Sequence, residues 1–153
     1  MTKLALALTL LFVASAPFAD GYHRSDFNYR SYKPSTPIGF YTGQHCDFIN
    51  IDHIVSLKDA YDSGASSWSG SMKEAFANDR SNHVPSCGRI NSSKGSAGPS
   101  DFLRRSNDGK GLEYEIVAFC EYVRKYSFVK RKYGLSFVNN KTEPFDSCGI
   151  PLS

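Results

Sequence analysis

A chain of 153 residues has room for one modest core and excludes two full domains. Its formal net charge of +3 permits a polyanionic partner without demanding one. Past the N-terminus no stretch is apolar enough to span a bilayer, so the mature chain is expected to carry no membrane anchor.

The first element is a leader. Lys3 supplies an early positive charge, Leu4 to Val13 an apolar run, and small residues continue to Ala19. These are the three parts of a secretory signal peptide, and the run falls short of the ~20 residues of a permanent anchor. Cleavage is expected after Ala19, with Ala16 as the alternative. That leaves one domain over residues 20–153, secreted or periplasmic and monomeric.

Residues 20 to about 45 are rich in Tyr, Ser, Pro and Gly and show no helical period. The expectation is an irregular arm wrapped on the body through Phe27, Tyr29, Tyr32 and Tyr41. From Phe48 to Val55 apolar residues alternate, which predicts a strand. Leu57, Ala60 and Tyr61 predict a short helix closed near Gly64. Trp68, Met72, Ala75 and Phe76 then recur at helical steps, and Trp68 is read as core. Asn78 to Asn82 is a turn, and His83 to Pro85 a short extended piece. Arg89 to Gly95 reads as a hairpin end passing into a loop or short helix, and Gly95 to Pro99 as a break. A long helix is predicted from Glu113 to Lys132, ended by Gly134, with Leu135, Phe137 and Phe145 packing a tail. Its basic run, Arg124, Lys125, Lys130, Arg131 and Lys132, reads first as a solvated face and second as a backbone-phosphate surface.

Four cysteines follow the leader, and none shows the paired spacing of a zinc-thiolate site. In an oxidising destination two disulfides are expected. Three pairings are open. Cys46 with Cys87 and Cys120 with Cys148 is favoured, because the first pair flanks two strands and the second joins a helix to the tail.

The chemistry-bearing residues form an ordered set: Asp52-His53-Ile-Val-Ser-Leu57, then Gly64 and Trp68, then Phe76-Ala-Asn-Asp-Arg-Ser-Asn82, then Asn91-Ser-Ser-Lys94-Gly95. Each piece alone is common, and Asp52-His53 alone reads as a surface histidine beside an acid. Together, over about residues 47–102, they resemble the HNH endonucleases, in particular the group like the C-terminal domain of GmrSD-type restriction enzymes. The resemblance implies an α+β fold, with a ββα-metal (His-Me finger) core, extra helices, the arm and two disulfides. It implies a metal-dependent endonuclease that hydrolyses phosphodiester bonds in DNA, with RNA as the alternative and little sequence preference. By that likeness His53 is the general base, Asn82 ties down the loop and orients it, and Asp52 and Asn91 hold the metal. Lys94 and Arg89 are expected at substrate phosphates. Oxygen donors suit Mg²⁺, or Mn²⁺, better than thiolate zinc. His83 departs from the family pattern, where an aliphatic residue is expected, and no role is assigned to it. One geometric difficulty stands: neighbours on a strand point to opposite faces, so Asp52 and His53 can share a site only where the strand ends or bulges. A non-catalytic module that binds polyanions or a protein partner on the same frame is the rival reading, and a toxin-like effector a second.

Overall fold

A computed structural model describes residues 21–107, 109 and 112–152. The leader and its cleavage site lie outside the described residues. The fold is mixed α+β. Strand β1, Ile49–His53, pairs antiparallel with β2, His83–Cys87, in a register that sets Ile49 opposite Cys87 and His53 opposite His83. Between them the chain makes α1 (Leu57–Asp62), a 3-10 turn, α2 (Gly70–Ala77) and a second 3-10 turn. Three of these four entries are capped by a short oxygen-bearing side chain: Ser56 accepts from the Asp59 amide at 3.0 Å, Ser69 from Met72 at 3.3 Å and Asp79 from Ser81 at 2.9 Å. Gly64 sits at φ 139°, a conformation that an L side chain rarely adopts, and so it is where α1 can turn away.

β2 passes without a loop into α3, Gly88–Lys94, which resolves the choice left open between Arg89 and Gly95 in favour of a helix. Helix α4, Pro99–Arg105, begins where the break expected over Gly95 to Pro99 ends. Its start signals are present, with Pro99 in the first turn and Asp101 near the positive end of the helix, and Arg104 and Arg105 lie in the last turn. Helix α5 runs from Phe119 to Lys132, so the expected start at Glu113 is six residues early. The preceding segment is irregular because its backbone is committed elsewhere. Tyr114 N–H donates to Ser106 at 3.0 Å and Ala118 N–H to Tyr41 at 3.3 Å, while Ile116 is buried in the core. A last turn, α6 (Glu143–Asp146), carries Phe145 inward.

Tyr122, Val123, Tyr126 and Val129 of α5 meet Phe102, Phe145 and Tyr41 in one aromatic-rich core. The arm belongs to that core. Phe27 is fully buried 6.3 Å from the Phe76 ring, and Tyr41 packs edge-on to Phe102 at 4.9 Å. Full burial of a ring of that size contributes roughly 2–3 kcal/mol, enough to hold an arm that has little regular structure of its own. Trp68 is half-buried 5.5 Å from Phe76, in keeping with its reading as core.

Disulfides join Cys46 to Cys87 and Cys120 to Cys148, closing loops of 41 and 28 residues. In the chain-entropy picture each is worth ~4 kcal/mol. The first fastens the arm to the sheet, where Phe40 N–H also donates to the Pro85 carbonyl at 2.8 Å. Gly39 is required at that junction: a Cβ there would lie 2.9 Å from Cys87 Sγ and 3.1 Å from Cys46 Sγ.

Candidate functional site

The C-terminal end of β1 sets the site. Asp52 and His53 do face opposite sides. Asp52 Oδ2 accepts from Tyr41 Oη at 2.6 Å and lies 3.0 Å from Lys94 Nζ. The His53 ring turns the other way, 4.6 Å from the rings of Tyr29 and His83. The strand stops at His53, and beyond its end both residues border one open pocket of about 340 Å³. Asn91 of α3 reaches the same pocket, as do Tyr22 and Arg24 from the arm and Ser56 and Lys58 from the start of α1. Three of the residues singled out in the sequence, Asp52, His53 and Asn91, are therefore brought together.

His53 is only 5% exposed. Its Nε2 lies 2.8 Å from the Ala77 carbonyl. A carbonyl only accepts, so Nε2 carries the proton and the lone pair belongs to Nδ1. Among the described residues nothing hydrogen-bonds to Nδ1. Burial pushes this imidazole down to about 3, opposed by the Ala77 bond and assisted by the positive charges of Arg24 and Lys94. His53 is thus neutral at neutral pH. His83 shares the anchor: its Nε2 is 2.9 Å from the same carbonyl, its Nδ1 is 3.2 Å from Tyr32 Oη, and burial lowers its pKa as well. The residue set aside in the sequence is a packed partner of His53.

Asn82 is fully buried and does not border the pocket. Its Oδ1 accepts from Val55 N–H at 2.8 Å and its Nδ2 donates to Val55 O at 3.0 Å, while its own carbonyl accepts from Ile54 N–H at 2.8 Å. It pins the two residues that follow His53, and so fixes where the strand ends. Asn91 Nδ2 donates to Asn50 Oδ1 at 3.0 Å, and among the described residues its own Oδ1 makes no hydrogen bond.

Lys94 differs most from its expected place. Its side chain is 0% exposed, and Nζ is spent on Asp52 Oδ2 and, at 2.9 Å, on the His53 carbonyl. Buried there, the ammonium is out of reach of a phosphate outside the pocket. It braces the turn between the acid and the histidine. Arg89 is exposed and lines a different groove. The cations at the mouth of the His53 pocket are Arg24 and Lys58. Sequence reasoning missed both. Lys58 stood in view one residue into α1, but Arg24 lies in an arm whose path nothing in the sequence gives.

For a hard divalent ion the pocket offers oxygens and little else. Asp52 is its one carboxylate among the described residues, with Oδ1 unbonded, and Asn91 offers an amide oxygen. All four cysteines are in disulfides, and no group of three or more His, Cys, Asp or Glu stands ready for a metal among the described residues. Two oxygens fit a cation that keeps most of its waters, as Mg²⁺ does, and do not fit a closed zinc site.

No family model matches the chain, and no solved structure matches it. Among curated proteins, one from Arthroderma benhamiae described as an uncharacterized secreted protein is 34% identical over 90 residues. The match covers 58% of this chain and 40% of that protein, so this chain spans less than half of its relative's length.

Proposed function

We propose that this protein is a secreted, metal-dependent nuclease of the HNH type, hydrolysing phosphodiester bonds with His53 as general base. The observation that carries the reading is that Asp52, His53 and Asn91 border one pocket, with His53 Nε2 anchored on the Ala77 carbonyl. Among the described residues nothing hydrogen-bonds to its Nδ1. The succession of β1, β2 and α3 supports a ββα-metal core, with the acid and the histidine on the first strand and the asparagine on the helix. The leader, the disulfides and a relative that is itself called secreted support export.

In this mechanism Arg24 and Lys58 draw the substrate phosphate into the pocket mouth. A phosphate anion beside His53 favours the imidazolium, raising its pKa toward the range in which a base works. Nδ1 takes a proton from water, the hydroxide attacks phosphorus, and the bond to the 3′ oxygen breaks, the alkoxide leaving with the electron pair and taking a proton from solvent water. Nε2–H stays on Ala77 O throughout, so the ring cannot swing away from the attacking water. Asp52 and Asn91 would hold a Mg²⁺ or Mn²⁺ ion, which supplies neutralisation of the charge that develops on phosphate and leaving oxygen. Tyr41 and Lys94 hold Asp52 in place for that ligand role.

A binding module without catalysis is the second reading. It is favoured by one observation, that Lys94 already neutralises the Asp52 carboxylate. Plasmid and RNA incubated with the oxidised protein, with Mg²⁺ or with EDTA, separate the two. The nuclease reading expects cleavage that EDTA stops and that His53→Ala abolishes while the fold persists. Cleavage by His53→Ala at the wild-type rate, or full activity in excess chelator, refutes it.

A further inference from the structure

A second groove adjoins the His53 pocket at the Asn50–Asn91 hydrogen bond, with Asn50 lining the groove and Asn91 the pocket. It encloses about 850 Å³, and Phe48, Asn50, Arg89 and Tyr114 are among its walls. Phe48 is the unusual member. It directly precedes β1 and is 70% exposed, although an apolar ring of that size gains by being covered. It is nonetheless held in position. Its carbonyl accepts from Gly88 N–H at 2.9 Å, and its ring lies so close over Gly88 that a Cβ there would stand 2.6 Å from Cδ1. Gly88 thus makes a bare seat for one side of the ring.

We propose that this groove is a subsite for an unpaired nucleobase, stacked on Phe48 and adjoining the scissile phosphate. The proposal rests on the nuclease reading and names its substrate class as single-stranded nucleic acid. Three features carry it. First, the groove adjoins the catalytic pocket: Asn50, which lines the groove, is hydrogen-bonded to Asn91, which lines the pocket, so a strand with its phosphate at His53 can lay its neighbouring nucleotide here. Second, its charges are of mixed sign, with one cation against two acids. Arg89 lines it together with the carboxylates Asp47 and Glu113, a setting that suits a neutral, hydrogen-bonding base and repels a run of phosphates. Third, a duplex keeps both faces of its interior bases stacked, so an aromatic platform on the protein can be used only by a base that has left the stack. Exposed rings with neighbouring polar groups are the usual means of gripping single strands regardless of sequence.

The test is binding, measured apart from cleavage. A short phosphorothioate-linked single strand carrying 2-aminopurine is titrated with wild type, Phe48→Ala, Phe48→Trp and Gly88→Ala, with circular dichroism confirming that each variant is folded. The wild type is expected to bind the strand more tightly than its blunt duplex and to quench the 2-aminopurine. Phe48→Ala is expected to lose affinity by about tenfold and the quenching with it. Phe48→Trp is expected to keep both, and Gly88→Ala, which displaces the ring, to behave like Phe48→Ala. Equal affinity of wild type and Phe48→Ala for the strand, or no preference of the wild type for strand over duplex, overturns the subsite. Plasmid cleavage that still depends on His53 would leave the nuclease reading standing in that event.

Discussion

Acid should unfold this protein through His53, and the size of the effect follows from its burial. The imidazole titrates at about 6.5 in an unfolded chain and at about 3 here. Because the folded value is the lower one, the native state holds the neutral form. The stabilisation is complete above about pH 6.5 and is lost progressively as pH falls toward 3. Each pH unit within that window removes ~1.4 kcal/mol, so acidification from about pH 6.5 to about pH 4.5 costs ~3 kcal/mol. That is a visible part of a typical stability of about 5–15 kcal/mol. His83 is shifted in the same direction and adds to the loss. Asp79 contributes separately: held down to about 2, mainly by the Lys132 ammonium against the opposing effect of burial, it acts only below about pH 4. Urea unfolding at several pH values, for wild type and for His53→Gln, isolates the term. The variant is less stable at every pH, but its stability should fall by ~3 kcal/mol less over that interval. Parallel curves for the two proteins would refute the assignment of acid sensitivity to this ring.

Arg24→Ala should weaken nucleic-acid binding with little change in thermal stability, and the slope of log affinity against log salt should shrink by about one; an unchanged slope removes Arg24 from the phosphate contact. Asn82→Ala orphans both polar groups of Val55 and should cost roughly 3 kcal/mol in urea unfolding, whereas a loss near zero would show that the paired bonds do not fix the strand end. Gly39→Ala drives a methyl into the Cys46–Cys87 bond and should lower stability by roughly 1–3 kcal/mol, which an unaltered Tm would contradict. The proposed nuclease activity should fall when the disulfides are reduced, and full activity in dithiothreitol would rule out dependence on them.

The readable parts of this fold were those with a local cause. Alternation around Ile49 and Ile51 gives β1, and the cap at Ser56 gives the start of α1. Cys46 and Cys87 flank the two strands, and their pairing followed from that placement. What stayed hidden depends on distant partners. Ile116 and Val117 continue the apolar period of α5, so only the tertiary bonds from Tyr114 and Ala118 reveal that the helix starts later. A lysine such as Lys94 looks solvent-exposed until Asp52 and the His53 carbonyl are seen to surround it. The placement of Asp52, His53 and Asn91 at one pocket was legible from motif likeness. The contributions of Tyr22 and Arg24 were not, because an arm without periodicity gives no route.

The bond between Cys46 and Cys87 lies a few residues from Tyr41, whose hydroxyl steadies Asp52. Arm, sheet and acid are thereby tied into a unit whose rigidity depends on sulfur chemistry rather than on composition. A newly made copy in a reducing cytosol would have the same residues and a looser grip on its own carboxylate. On the proposed nuclease reading, passage to an oxidising compartment then becomes the event that sets the pocket, and a host could make the polypeptide beside its own chromosomes before it is armed.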